Sequence, residues 1–355
     1  MVSGWAGHAG DRHHGAHGDL VSRHLDVPYG ELLDFSQNIN PLGPPRDALE
    51  AARQALYEEA GRYPDLEYTV LRGALAKYLG VSAERVVPTN GGAEALFLAA
   101  AAARVGGVLV LEPTFSEYAA AARASGREVI RKVARRSQSD FGFEPGTLED
   151  MSGVSVVFLC NPNNPTGDSL GRRQVLELAS RVREAGATLI VDEAFADFSP
   201  GISVSSMVDE HLWVARSFTK FFAIPGLRLG CLVCDDPGRV KALQPSWPVN
   251  AVAAAAGIAA ASNVGFAETS VAGVARLRRG LFGALDRLPG LHPFPGAANF
   301  LLVRGPDGLP ERLARRGVLV RGCSPFMGLG PEYFRVAVRG EAENSRLVAQ
   351  IREEL

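Results

Sequence analysis

Five short runs rich in aliphatic and β-branched residues, at 108–112, 154–160, 188–191, 213–216 and 229–234, punctuate the middle of this chain. Helical periodicity marks 46–60, 69–79, 172–184, 271–288 and 341–354. Strands this apolar have no face suited to water. Alternating with helices, they predict an α/β, three-layer α/β/α fold with a mostly parallel central sheet covered on both faces. After residue 250 the pattern changes to an alanine-rich helix, a long charged helix and short strands at 300–303, 318–321 and 334–338. At 355 residues the chain is too long for one small domain. We read a large domain over 45–250, with 1–44 and 251–355 forming a smaller α+β unit.

Composition excludes several classes of function. Apolar residues at 46% and charged residues at 21% describe an ordinary soluble globular protein. The net charge of −2 and the scattered Lys and Arg leave no footprint for nucleic acid or an anionic membrane. The first twenty residues lack an apolar core region, which argues against a secretory signal. The longest apolar run, 251–261, is too short to span a bilayer and reads as a helix packed closely on a neighbour. Four cysteines (Cys160, Cys231, Cys234 and Cys323) suggest no disulfide framework, so a reducing, cytoplasmic setting is expected. Cys231 and Cys234 form a C-x-x-C inside a strand-like run rather than a turn, and read as buried strand residues.

Four segments carry chemistry. In Ser217-Phe-Thr-Lys220 a single lysine follows a strand, and Arg228 and Gly230 lie just downstream. Apolar surroundings and a neighbouring cation both favour its neutral, nucleophilic amine. Ser217, Thr219 and Arg228 are together able to hold a phosphate dianion. Asp192 ends an apolar strand, where open α/β sheets bind ligands, and an acid there can hold a pyridine nitrogen protonated. In Cys160-Asn-Pro-Asn-Asn164-Pro-Thr-Gly167 two X-Pro steps stiffen a turn that presents the Asn164 amide. Thr89-Asn-Gly-Gly92-Ala-Glu94 opens a helix whose first N–H groups are free for a phosphate.

With N-P-T-G, D-E-A-F, S-F-T-K and R-L-G in this order, the chain resembles the fold-type-I pyridoxal phosphate family, the aspartate-aminotransferase superfamily, over almost its whole length. The resemblance implies pyridoxal 5′-phosphate as cofactor, carried as a Schiff base on Lys220 with Asp192 on its ring nitrogen. It implies Asn164 on the phenolic oxygen, Phe115 stacked on the ring, and Gly91, Gly92, Ala93, Ser217 and Arg228 around the phosphate. Tyr63 looks like the tyrosine this family lends to a partner's site, which implies a homodimer with shared sites. Arg335 matches the arginine that grips the substrate α-carboxylate.

Within that superfamily the chain is similar to threonine-phosphate decarboxylases and next to histidinol-phosphate aminotransferases. Both take small phosphorylated substrates, and Arg321 looks like the arginine that meets the phosphate ester. The segment Asp34-Phe-Ser-Gln-Asn-Ile-Asn40-Pro-Leu-Gly43, Phe195 and the run Arg321–Leu329 favour the decarboxylases, with Asn40 implied at the substrate. So does a histidine near the start, matched without a gap by His14 and nearly as well by His17. The expected reaction is therefore decarboxylation of L-threonine O-3-phosphate to (R)-1-amino-2-propanol phosphate for cobalamin biosynthesis, with amino-group transfer as the alternative. The two outcomes differ in which bond to the substrate Cα stands perpendicular to the cofactor ring, so residue identity leaves both open. A non-catalytic, cofactor-binding sensor domain is a third reading, opposed by a competent residue at every cofactor position. Five of the seven histidines lie in the first 24 residues, but no Cys or paired acid accompanies them at ligand spacing, so no metal site is expected. Residues 1–12 are expected to stay disordered until a histidine of the tail folds over the substrate.

Overall fold

The computed structural model describes residues 18–25, 28–133, 143–148 and 150–355; His14, His17 and the first twelve residues lie outside that set. The described chain opens with α1 (Gly18–Leu25), a short strand β1 (Leu33–Asp34), α2 (Arg46–Glu58) and α3 (Thr69–Leu79). The alternating region runs β2 (Val86–Thr89), α4 (Gly91–Ala102), β3 (Gly107–Glu112), α5 (Glu117–Ala124) and β4 (Val129–Val133). It continues through β5 (Val154–Cys160), α6 (Arg172–Glu184), β6 (Thr188–Asp192), β7 (Leu212–Ser217), the one-turn α7 (Phe218–Phe221) and β8 (Gly230–Val233). Three helices follow: α8 (Pro237–Lys241), α9 (Ala251–Ser262) and α10 (Val264–Asp286). The chain closes with β9 (His292–Pro293), β10 (Phe300–Arg304), α11 (Leu309–Arg315), β11 (Val318–Leu319), β12 (Arg321–Gly322), β13 (Tyr333–Ala337) and α12 (Glu341–Glu354).

Among the described residues the central sheet has the order β2-β8-β7-β6-β5-β3-β4. All its pairings are parallel except those of β8, which runs antiparallel to β7 and β2. The period-2 rule sorts its side chains onto two faces. Leu109, Val157, Leu189, Val191 and Val214 join one core with α3, α6 and α9. Val108, Val156, Ile190 and Ala215 join the other with α4 and α5. Burial on both faces is what makes these strands apolar without alternation. Cys231 and Cys234 fall into opposite cores, and all four cysteines are free and buried.

Two strands in the sheet escape a reading by composition. β2 is four residues with a proline, and the edge strand β4 carries Arg131 and Lys132 on a half-exposed backbone. The long helix starts at Val264 rather than 271. The Asn263 side chain accepts from Phe266 N at 2.9 Å and caps it, while its buried apolar stripe begins only at Val274. The run 318–321 divides: β11 pairs in parallel with β1, whereas β12 joins β13 in the antiparallel sheet β12-β13-β10-β9. The N-terminal segment is thereby stitched to the C-terminal hundred residues, over a core formed by Phe35, Leu281, Leu301, Phe334 and Leu347. Among the described residues no single helix is long and apolar enough to cross a membrane.

Candidate active site

Cys160 and Asp192, at the carboxyl ends of β5 and β6, are paired in register, and Asp192 is aligned with Ala215 of β7. Strand alternation then separates two kinds of residue. Asp192 and Ser217 point to the α4–α5 side, where a cavity of ≈ 440 Å³ opens, which is the size of a small-ligand pocket. Glu193 and Arg216, one residue on and one before, point to the opposite face and pair there at 2.6 Å; Arg216 also meets Asp197 at 2.5 Å. That buried triad fixes the spacing of the two strand ends that carry the cavity's polar groups.

Lys220 lines the cavity floor and donates to Ser217 Oγ at 3.1 Å. Burial lowers its pKa from the usual lysine value; Asp192 opposes that shift, and Arg228 and Arg335 add to it. The carboxyl of Asp192 accepts from Tyr118 Oη at 2.8 Å and from Ala194 N at 2.9 Å. Burial raises its pKa, against the Tyr118 hydrogen bond and the Lys220 charge. The Tyr118 ring is stacked on Phe158 at 4.9 Å and meets Phe115 edge-on at 5.9 Å. Its phenol, pushed well above the usual value by burial, keeps its proton and stays a donor.

A concave anion cradle forms where α4 starts. Gly91 adopts φ +79°, and a Cβ there would lie 2.5 Å from Arg228 Nη2. Gly230, between Thr89 and Ser217 in the sheet, supports the same turn; a Cβ on it would stand 2.6 Å from Gly91 C. Glycine at both positions lets the helix N-terminus, Ser217 and Arg228 converge, an arrangement suited to a phosphate. Arg228 itself sits at φ +65°, a left-handed conformation that costs an L-residue about 1–3 kcal/mol and is held by its surroundings.

Gly92, Ala93, Phe115, Asn164, Arg321 and Arg335 line the same cavity as Lys220 and Asp192. Asn164 Oδ1 accepts from Arg335 Nη1, and Arg335 Nη2 donates to Ser36 O at 2.9 Å. Arg335 lies over the Phe300 ring at 5.2 Å, and burial lowers its pKa to about 10. Burial lowers Arg321 as well. Phe195 stands 5.9 Å from Lys220 Nζ and presents no hydroxyl to the cavity.

Three sequence-predicted residues sit elsewhere. Asn40 does not line the cavity. Its amide donates to Phe221 O at 2.8 Å and Ser270 Oγ at 2.9 Å, and its Oδ1 accepts from Leu42 N, so it braces the lysine turn instead. Asn38, two residues earlier, lines the cavity, and its buried Oδ1 has no hydrogen-bond partner among the described residues. Thr219 is not among the residues that line the cavity, and its hydroxyl is 2.9 Å from that of Ser217. Tyr63 is 76% exposed and stacks on Trp247 at 4.4 Å, outside its own chain's cavity. Sequence reasoning also missed Tyr118, which holds Asp192, and Glu117 in the cavity lining, and it took in Phe326 only as part of the run Arg321–Leu329. The available signal for Tyr118 was its place three residues beyond Phe115, on the first turn of α5.

The model of the family described as aminotransferase class I and II matches residues 30–351. A threonine-phosphate decarboxylase of Salmonella typhimurium is 37% identical over 344 residues, 93% of either chain. Histidinol-phosphate aminotransferase 2 of Archaeoglobus fulgidus is 30% identical, over 92% of this chain and 94% of the relative. Among solved structures, the histidinol-phosphate aminotransferase from Clostridium acetobutylicum superposes with a TM-score of 0.85 at 27% identity, over 91% of this chain and 99% of that one.

Proposed function

Because the chain belongs to the aminotransferase class I and II family, whose members work with pyridoxal 5′-phosphate, we propose that this cavity decarboxylates L-threonine O-3-phosphate. The residues fit the cofactor. The glycine-lined cradle at α4 with Ser217 and Arg228 would take its phosphate, Phe115 would cover its ring, and Asn164 would meet its phenolic oxygen. Asp192, held by Tyr118 and Ala194 N, would accept the ring N–H. When bound, the cofactor supplies an electron sink for the pair left at the substrate Cα.

The observation that carries the substrate class is that one cavity presents two further guanidinium groups beside Lys220. Arg335, desolvated and braced by Asn164 and Ser36, would grip the α-carboxylate through its fork. Arg321, entering from β12, would hold the phosphate ester. A Cα held between them would share the cavity with Lys220, whose depressed pKa suits an amine that gives up and takes back a proton. The Cα–carboxyl bond breaks, CO₂ leaves, and a proton from Lys220 or water replaces it, giving (R)-1-amino-2-propanol phosphate, a building block for cobalamin. Support for this outcome comes from the 37% identity to a threonine-phosphate decarboxylase and from the hydroxyl-free Phe195. Histidinol-phosphate amino transfer is the second reading, supported by the Clostridium structure and the Archaeoglobus relative. The site is proposed to be completed in a homodimer, with Tyr63 reaching the partner's cavity.

The deciding assay supplies purified holoenzyme with L-threonine O-3-phosphate and measures CO₂; in parallel, histidinol phosphate with 2-oxoglutarate is assayed for glutamate. CO₂ without glutamate is expected. Glutamate without CO₂ assigns the aminotransferase instead, and neither product points to a sensor role.

A further inference from the structure

Phe326, in the segment after β12, is 8% exposed and lines the cavity beside Arg321, whose guanidinium carbon lies 5.8 Å from its ring centroid. The ring belongs to a buried apolar cluster with Phe294, Leu302 and Tyr333. Hydrogen bonds from Phe326 N to Cys323 O at 2.9 Å and from Leu329 N to Phe326 O at 3.0 Å fix its backbone. In front, the segment abuts the edge of the large sheet. Pro325, Phe326 and Met327 border a small gap with Glu112 and Arg131, and a Cβ on Gly328 would lie 3.1 Å from Val133 Cγ1. With its backbone tied by these hydrogen bonds and its side chain part of that cluster, Phe326 leaves the cavity wall only by unpacking those neighbours.

We propose that Phe326 is a specificity-determining residue: its ring ends the cavity beyond the ester phosphate, and by lying against Arg321 it aims the guanidinium fork. This rests on the reading that the substrate is a small phosphorylated amino acid. The ring's negative face attracts the guanidinium face-on, and a guanidinium held by its face turns its N–H edge toward the phosphate oxygens it would bind. A wall there admits a phosphate at the reach of phosphothreonine and excludes one carried a methylene further out.

The test titrates holoenzyme with L-threonine O-3-phosphate, O-phospho-L-homoserine and L-threonine, reading the shift of its visible absorbance rather than turnover. Wild-type protein should prefer phosphothreonine to both. Phe326→Ala should weaken phosphothreonine binding by about five- to tenfold, tighten phosphohomoserine and leave L-threonine unchanged. Phe326→Leu, which keeps bulk without a ring, should weaken both phosphates and retain the length preference. The proposal falls if Phe326→Ala leaves the ratio of the two phosphates unchanged, or weakens L-threonine as much as either. If wild-type protein binds phosphothreonine no tighter than L-threonine, the phosphorylated-substrate reading itself falls and takes this inference with it.

Discussion

At Lys220 opposing influences meet on one amine: burial and the cations Arg228 and Arg335 favour the neutral form, and Asp192 favours the charged one. A lysine with a depressed pKa binds fewer protons folded than unfolded. Its cost to folding is therefore greatest below the folded value and fades as pH rises toward 10.5. Removing the anion should lower the amine further. In cofactor-free protein, labelling of Lys220 by an amine reagent should reach half its maximum below pH 10.5, and lower still in Asp192→Asn. A midpoint that rises in the variant contradicts the assignment of Asp192 as its main anionic neighbour. That Lys220, Asp192 and Asn164 would line one cavity was legible because each sits in a motif at a strand end. Asn38 and Asn40 were not separable, since two amides two residues apart in one loop look alike until the fold commits Asn40 to Phe221 and Ser270.

The ends of β6 and β7 show why neighbouring residues serve different purposes. Asp192 and Ser217 face the cavity, and Glu193 and Arg216 lock the two strands together from the other side. Arg216→Met would strand Glu193 and Asp197 as buried, unpaired acids. Breaking such a pair typically costs about 3–5 kcal/mol, to be read as a lowered urea midpoint with loss of cofactor affinity. A variant within about 0.5 kcal/mol of wild type would mean that the triad does not brace these strands. The parallel strands were readable from composition because burial on both faces demands it. β4 was not, because an edge strand half in water carries arginine and lysine without penalty.

For the whole molecule, the cavity draws on both ends of the chain. Residues 36–39, the strand ends of the central sheet, and Arg321, Phe326 and Arg335 of the C-terminal sheet all line it. The pairing of β1 with β11 brings the first of these beside the last. The proposed dimer extends the same logic to a second chain through Tyr63. Mixing Tyr63→Ala protein with Lys220→Ala protein should then restore activity that neither shows alone, because a hybrid dimer combines an intact Tyr63 with an intact Lys220 in one site. Activity that stays absent after subunit exchange argues that each chain works with its own residues.

Local chemistry is written in the sequence. Apolar runs dictate buried parallel strands, glycines mark where a helix start must approach other backbone, and a lysine set after a strand among hydroxyls and an arginine announces its reactivity. The tertiary structure decided what lies far apart in the chain: that Tyr118 supports Asp192, that Asn38 rather than Asn40 faces the cavity, and that Phe326 lies against Arg321. Side-chain direction in a loop and contact between segments far apart in the chain depend on long-range packing, which no spacing rule along the chain encodes.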